Sequence, residues 1–205
     1  MSSFSNADTG SKPADPYKSA NKSEPGLEEK FTALDKFIDS CKFGMMTTHD
    51  PTSGKLISRC MAVAAKEGNG TELLFFTNTE SNKTDELKSD PQVNISFLDS
   101  SGQWASVSGK TSIETDRSVV KRHYSSSLKA WLGDLGDGTH DGSENDPRIG
   151  VIRVKTDTAT YSISNKTFLG FAVEVAKGAV TGDTASVNKL REISSSEIQQ
   201  WRAKA

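Results

Sequence analysis

Arg59 stands in the middle of a run, Lys55 to Ala65, that alternates like a strand. Ile57, Arg59, Met61 and Val63 fall on one face, and Leu56, Ser58, Cys60 and Ala62 on the other. Both faces are rather apolar, so the run predicts a strand covered on both sides with a cation inside it. A buried cation requires an opposite charge: a carboxylate of the chain, or the phosphate of a ligand. A second cation follows. Thr77-Asn78 ends a strand dense in Leu and Phe, and Ser81-Asn82-Lys83 opens a short helix over about 81–89. The first N–H groups of a helix lack partners within it and carry the positive end of its dipole. With the donors of Ser81, Asn82 and Lys83 they suit an anion, phosphate above all; ordinary helix capping with a solvated Lys83 is the other reading. The strands carrying Arg59 and Thr77 are joined by the tight turn at "KEGNG". They are therefore expected to pair as a hairpin, which would bring Arg59 and Lys83 to one anion.

The rest of the chain supplies a frame for these residues. A helix is predicted over about 26–42, with Pro25 in its first turn, Ser23 or Glu24 as cap, and Phe31, Leu34, Phe37, Ile38 and Cys41 at helical spacing. Strands are predicted over 43–49, 55–65, 72–78, 93–98, 103–114, 149–155 and 158–164. Helices are expected over 116–124, capped by Asp116, and over 168–180 and 194–203. Asp90-Pro91 stops the short helix, because proline excludes helical geometry from the residue before it. Many short strands with tight turns predict an antiparallel sheet that closes on itself, a small β-barrel flanked by helices.

The chain has 205 residues, enough for one domain with tails. Its first 26 residues, rich in Ser, Lys, Asp, Asn and Pro, hold too little apolar surface to offset ordering and read as a disordered tail. Net charge is −2, which does not favour nucleic acid as a partner. No apolar run is long enough to span a bilayer. Cys41 and Cys60 make neither a disulfide framework nor a zinc cluster, and with no leader-like layout at the N-terminus a cytoplasmic setting is expected. His49, His123 and His140 are scattered, with no Ser or Cys at triad spacing. The Asp-rich stretch from Gly133 to Asp146 lacks the order of an EF-hand and reads as a flexible loop or lid.

Several short words stand in a telling order: "GMMTT", "SRCMA", "LLFFTN", "SNKTDELKSDPQVNISF", "WASVSG", "KAW" and "ENDPRIGVIRV". Over roughly residues 27–182 the chain resembles the FMN-binding split barrel of the pyridoxamine-phosphate-oxidase-like superfamily, a mainly β, antiparallel, Greek-key-like fold with flanking helices. The likeness is to its general-stress-protein branch, which includes the fungal blue-light-inducible FMN-binding proteins. It implies a disordered tail over 1–26, an FMN domain over 27–182 and a C-terminal extension over 183–205. It implies FMN as cofactor, a homodimer with the flavin between subunits, and flavin-dependent oxidoreductase chemistry on an unnamed substrate. A non-catalytic flavin sensor or carrier is the alternative.

Carried over residue by residue, the resemblance makes Arg59 and Lys83 the grips on the FMN phosphate. Cys60 and Met61 lie on the strand beside the flavin ring, and Phe76 and Thr77 form the strand-end contact. Asn82 stands where the oxidases usually have arginine, which removes a charge from the site. Trp104, where the oxidases place a glutamine, would meet the ring or the partner subunit, or be an ordinary core tryptophan. Trp131 of "KAW" would cover the flavin or simply pack. The C-terminal Trp…Arg region with which the oxidases bind pyridoxal phosphate has no counterpart, since Trp201 and Arg202 are adjacent. True pyridoxamine-phosphate oxidase activity is therefore not expected.

Overall fold

A computed structural model describes residues 15–164, 177, 179–182 and 184–204. The expected helix over 168–180 falls largely outside these residues. The chain runs α1 (Pro16–Asn21), α2 (Leu27–Cys41), β1 (Phe43–Asp50), β2 (Lys55–Ala62), β3 (Ala65–Glu67), β4 (Glu72–Asn78), α3 (Asn82–Ser89), β5 (Gln92–Leu98), β6 (Trp104–Glu114) and α4 (Arg117–His123). A 3₁₀ turn (Ser126–Leu128) leads into α5 (Lys129–Leu132). Then come β7 (Ile149–Ser164), β8 (Asn188–Ile193) and α6 (Ser195–Arg202).

All strands are antiparallel in one sheet, ordered β2-β1-β5-β6-β7-β4-β3, with β8 also on β7. β7 organises it. The stretch read as two strands is one 16-residue strand. β6 runs along its whole length, while β4 takes the first half of its other edge and β8 the second. At the midpoint β6 and β7 slip register between Ser108 and Gly109. A Cβ at Gly109 would stand 2.3 Å from the Lys155 carbonyl oxygen, so only glycine lets the backbones approach there.

The sheet does not close through a ladder between its outer strands, contrary to the closed barrel expected. The expected hairpin between the Arg59 and Thr77 strands is also absent. β2 pairs with β1 alone, and a separate three-residue strand, Ala65–Glu67, pairs with β4. The chain breaks at Val63-Ala64, where their amides bond back to Lys42 and Leu74 carbonyls, so one predicted strand serves two partners.

α2 starts at Leu27 behind Gly26, with no side-chain cap, so neither Ser23 nor Glu24 caps it. Its apolar stripe of Phe31, Leu34, Phe37 and Ile38 packs on Met46, Leu73, Phe75, Ile95, Phe97 and Val107 in the main core. Leu74, Val120, Ile149 and Val151 form a second cluster beneath α4 and α5, so β4 is buried on both faces. β2 is not. Its Leu56, Ser58, Cys60 and Ala62 face is exposed.

Among the described residues, the segments 15–26 and 184–204 pack against the core. Residues 1–14 lie outside the description, but α1 lies against β8. Asn21 is buried and holds the carbonyls of Tyr17 and Ala185 and the amides of Val187 and Asn188. These bonds supply what the segment's few apolar residues do not. Lys30, nearly fully buried, pairs with Glu24 at 2.6 Å and Glu197 at 2.9 Å, tying α2 to both termini. Trp201 of α6 stacks on Phe31, with centroids 4.7 Å apart. The Asp-rich stretch is tied at its base. Asp146 is buried, its carboxyl drawn down to about 2 chiefly by Arg148, whose guanidinium also donates to the carbonyls of Leu132 and Gly133.

Candidate functional site

The cations singled out in the sequence meet beside α3. Ser81 ends the turn after β4 in extended geometry and places no side chain on the helix amides, while Asp90 ends the helix as its C-cap. Lys83, in the first turn, reaches back to the strand end it follows. Its Nζ donates to Thr77 Oγ1 at 2.5 Å and to Ser81 Oγ at 3.0 Å. Thr77 is buried, and its hydroxyl donates a hydrogen bond to the Asn78 carbonyl. Among the described residues no carboxylate pairs with Lys83. Burial pulls its ammonium below the ordinary lysine range and the positive charge of Arg59 pulls it further, while the Glu86 carboxylate opposes them in part.

Arg59 projects from β2 on the inner face, opposite Met46. Its Nη1 donates to Thr48 Oγ1 at 2.7 Å and Glu86 Oε2 at 2.9 Å, and its Nη2 to Glu86 Oε1 at 3.0 Å. The carboxylate that a buried arginine demands is therefore Glu86, one helical turn after Lys83. Convergence of the two cations comes through α3 rather than through a hairpin: the helix that presents Lys83 also anchors Arg59. Sequence reasoning named the kind of partner Arg59 needs but not Glu86 or Thr48. Spacing is the signal that was there to use, since residues 83 and 86 share one helix face.

The other singled-out residues sit elsewhere in relation to this cluster. Met61 shares the inner face of β2 and packs on the main core. Cys60 is exposed on the outer face, opposite Met45. Phe76 is half-buried in the second core cluster, and Asn82 is exposed at the start of α3. Trp104 is half-buried, opposite Leu98 at the end of the β5–β6 ladder, on the same outer face as Cys60. Trp131 is 86% exposed on α5. The fold thus gathers Arg59, Thr77 and Lys83 with Thr48, Ser81 and Glu86, and leaves Cys60 and Trp131 exposed and Trp104 half-buried outside the cluster.

In chemical terms the donors of this cluster suit an anion. Among the described residues it offers a partly buried ammonium with no direct ion pair, a guanidinium with N–H groups left over, two hydroxyls and a helix start. Among the described residues no group of His, Cys, Asp and Glu is arranged to hold a metal, and no helix is long and apolar enough to cross a membrane.

Comparisons with known proteins agree with this frame. Protein bli-3 of Neurospora crassa is 61% identical over 202 residues, spanning 98% of this chain and 97% of that one. General stress protein 26 of Bacillus anthracis superposes with a TM-score of 0.53 at 26% identity, over 66% of this chain and 92% of that one. A pyridoxamine 5'-phosphate oxidase-related, FMN binding protein of Nostoc punctiforme shares the fold alone, with a TM-score of 0.53 at 11% identity over 68% of this chain and 85% of that one. A family model described as pyridoxamine 5'-phosphate oxidase like matches residues 29–186, from the first turn of α2 to the approach of β8 and through every residue of the anion cluster. This chain belongs to the pyridoxamine 5'-phosphate oxidase-like family.

Proposed function

We propose that the protein binds FMN, with Arg59 and Lys83 on the phosphate, and acts as a flavin-dependent oxidoreductase on a small substrate. Lys83 carries this reading. A partly buried ammonium whose hydrogen-bond partners among the described residues are both hydroxyls is costly for the fold, and a phosphate would supply an ion-pair partner. Thr77 and Ser81 orient the ammonium, Thr48 and Glu86 orient Arg59, and the start of α3 adds backbone donors. Asn82 supplies an amide where an additional cation would stand. When bound, FMN supplies the redox chemistry, taking electrons from reduced nicotinamide or another small reductant and passing them to an acceptor; the protein binds, orients and shields.

The same reading makes the protein a homodimer with the flavin between subunits. Phe43, Met45, Leu56 and Leu98 are exposed on the outer face of β1, β2 and β5, with Cys60, Ala62 and Trp104 beside them. An apolar face of this kind on one chain suits a second copy, and its presence on the strand that carries Arg59 sets the phosphate site close to the covered surface. The same reading includes a role in a stress or light response, supported by the names of the relatives, and a cytoplasmic setting, as expected from the sequence. A second reading is a flavin sensor or carrier without turnover.

The test starts with the visible spectrum of the purified protein before and after loading with FMN and desalting. Retained flavin bands support the cofactor, and failure to retain flavin removes it. Steady-state oxidation of reduced nicotinamide by the loaded protein then separates the two readings. A rate no greater than that of the same amount of free FMN leaves only the sensor or carrier.

A further inference from the structure

Glu86 is buried at 5% exposure, yet it lies at the centre of a site built for a negative ligand. Burial pushes its carboxyl up, but hydrogen bonds from Arg59 and Thr48 outweigh burial and hold it below the ordinary glutamate range. It therefore keeps its charge. Thr48 Oγ1 donates to Glu86 Oε2 at 2.5 Å, which closes a triangle with Arg59.

The triangle determines what remains of the guanidinium. Arginine carries five N–H bonds. Nη1 uses both of its own on Thr48 and Glu86, and Nη2 uses one on Glu86. Nε–H and the second Nη2–H have no acceptor among the described residues. These two form the side fork of the guanidinium, which takes two oxygens of a single phosphate group. The charge count points the same way. Arg59 and Lys83 bring two positive charges and Glu86 one negative, so the cluster stands at +1. A phosphate monoester carries about −1.5 to −2 at neutral pH. Asp50, Asn82 and Asp85 join Glu86 around a cavity of about 430 Å³. Its lining holds three carboxylates and no cation.

We propose that Glu86 sets the specificity of the anion site: it takes up one edge of Arg59, leaves a fork for one terminal phosphate, and with Asp50 and Asp85 repels a second phosphate group. The inference rests on the FMN reading above. It makes the ligand class a phosphate monoester and excludes a diphosphate such as FAD, whose second phosphate would find no free cation and would approach carboxylates.

The experiment is a titration of the full-length protein, freed of bound flavin, with FMN and with FAD, in wild type and Glu86→Gln. Wild type is expected to bind FMN at least about tenfold more tightly than FAD, a floor for a like-charge contact in a partly buried site. In folded Glu86→Gln the preference narrows by about threefold or more, chiefly through tighter FAD, as a carboxylate facing the second phosphate is removed. Equal affinities in wild type, or an unchanged ratio in the folded variant, overturn the proposal. If the variant does not fold, displacement of FMN from wild type decides: pyrophosphate that competes as well as inorganic phosphate, or better, overturns it. If wild type binds no flavin, the FMN reading fails by itself. Phosphorus NMR with inorganic phosphate and pyrophosphate then tests Glu86 separately. Preference for phosphate sustains the proposal, and binding of neither anion, or of pyrophosphate equally, ends it.

Discussion

The Lys83 ammonium donates to the Thr77 hydroxyl at 2.5 Å, across the turn that joins β4 to α3. This bond turns the lysine back over the strand end instead of out into water, and it is why a cation at a helix start becomes a partly buried one. The charge is held in place by neutral groups, ready for an anion and unfavourable without one.

Arg59→Ala and Lys83→Ala are each expected to weaken FMN binding by about 1.5–3 kcal/mol, the range for a lost hydrogen bond to a charged group. Isothermal titration at fixed salt measures this. If both variants hold FMN as tightly as wild type, the phosphate does not sit between these residues.

The lowered pKa of Lys83 has two consequences with opposite signs. Only the protonated amine attracts the phosphate, so FMN affinity falls as pH rises through that lowered value, sooner than with an ordinary lysine at 10.5. The ligand-free fold behaves otherwise. The unfolded chain holds the Lys83 proton more tightly than the native state does, so stability rises with pH between the lowered value and the ordinary one. Lys83→Met should therefore raise the melting temperature of the ligand-free protein and reduce the rise that FMN gives the wild type. A variant that melts lower without ligand and keeps its FMN shift contradicts both.

Trp201→Ala tests whether the C-terminus belongs to the core. The indole stacks on Phe31 with the rings 4° from parallel and donates to the Asn69 carbonyl at 2.9 Å. Loss of the ring pair alone is worth about 0.5–1.5 kcal/mol, beyond the loss of buried area. Urea unfolding followed by circular dichroism should show a lower midpoint. An unchanged midpoint would mean that α6 adds nothing to stability.

Gly109→Ala places a methyl group against the Lys155 carbonyl at the register slip of β6 and β7. Backbone at both sides of the contact cannot yield as a side chain would, so a cost of about 1–3 kcal/mol is expected. The same unfolding experiment reads it.

Met45→Asp puts a charge on the exposed face shared with Cys60 and Leu56. Sedimentation velocity should find wild type as a dimer and the variant as a monomer with weaker FMN binding. A monomeric wild type that binds FMN fully would leave the apolar face without the partner proposed for it.

Much of this protein was legible in its sequence, because the signals were local. Helical spacing of Phe31, Leu34, Phe37 and Ile38 defined the face of α2, Asp116 capped α4, Asp90-Pro91 ended α3, and the side-chain alternation of β2 put Arg59 inside. Arg59 as a cation in need of an anion, and Lys83 at a helix start, followed from residue chemistry alone. What the tertiary structure decided depends on which distant segments meet. Pairing chose β1 for β2 and left β3 to β4, since strand partners depend on the curl of the whole sheet and not on the length of a turn. The partner of Arg59 is Glu86, 27 positions away. Asn21, Lys30 and Trp201 made core of two polar ends through bonds that span most of the chain. Local periodicity records what each segment buries; only packing determines which buried charge faces which.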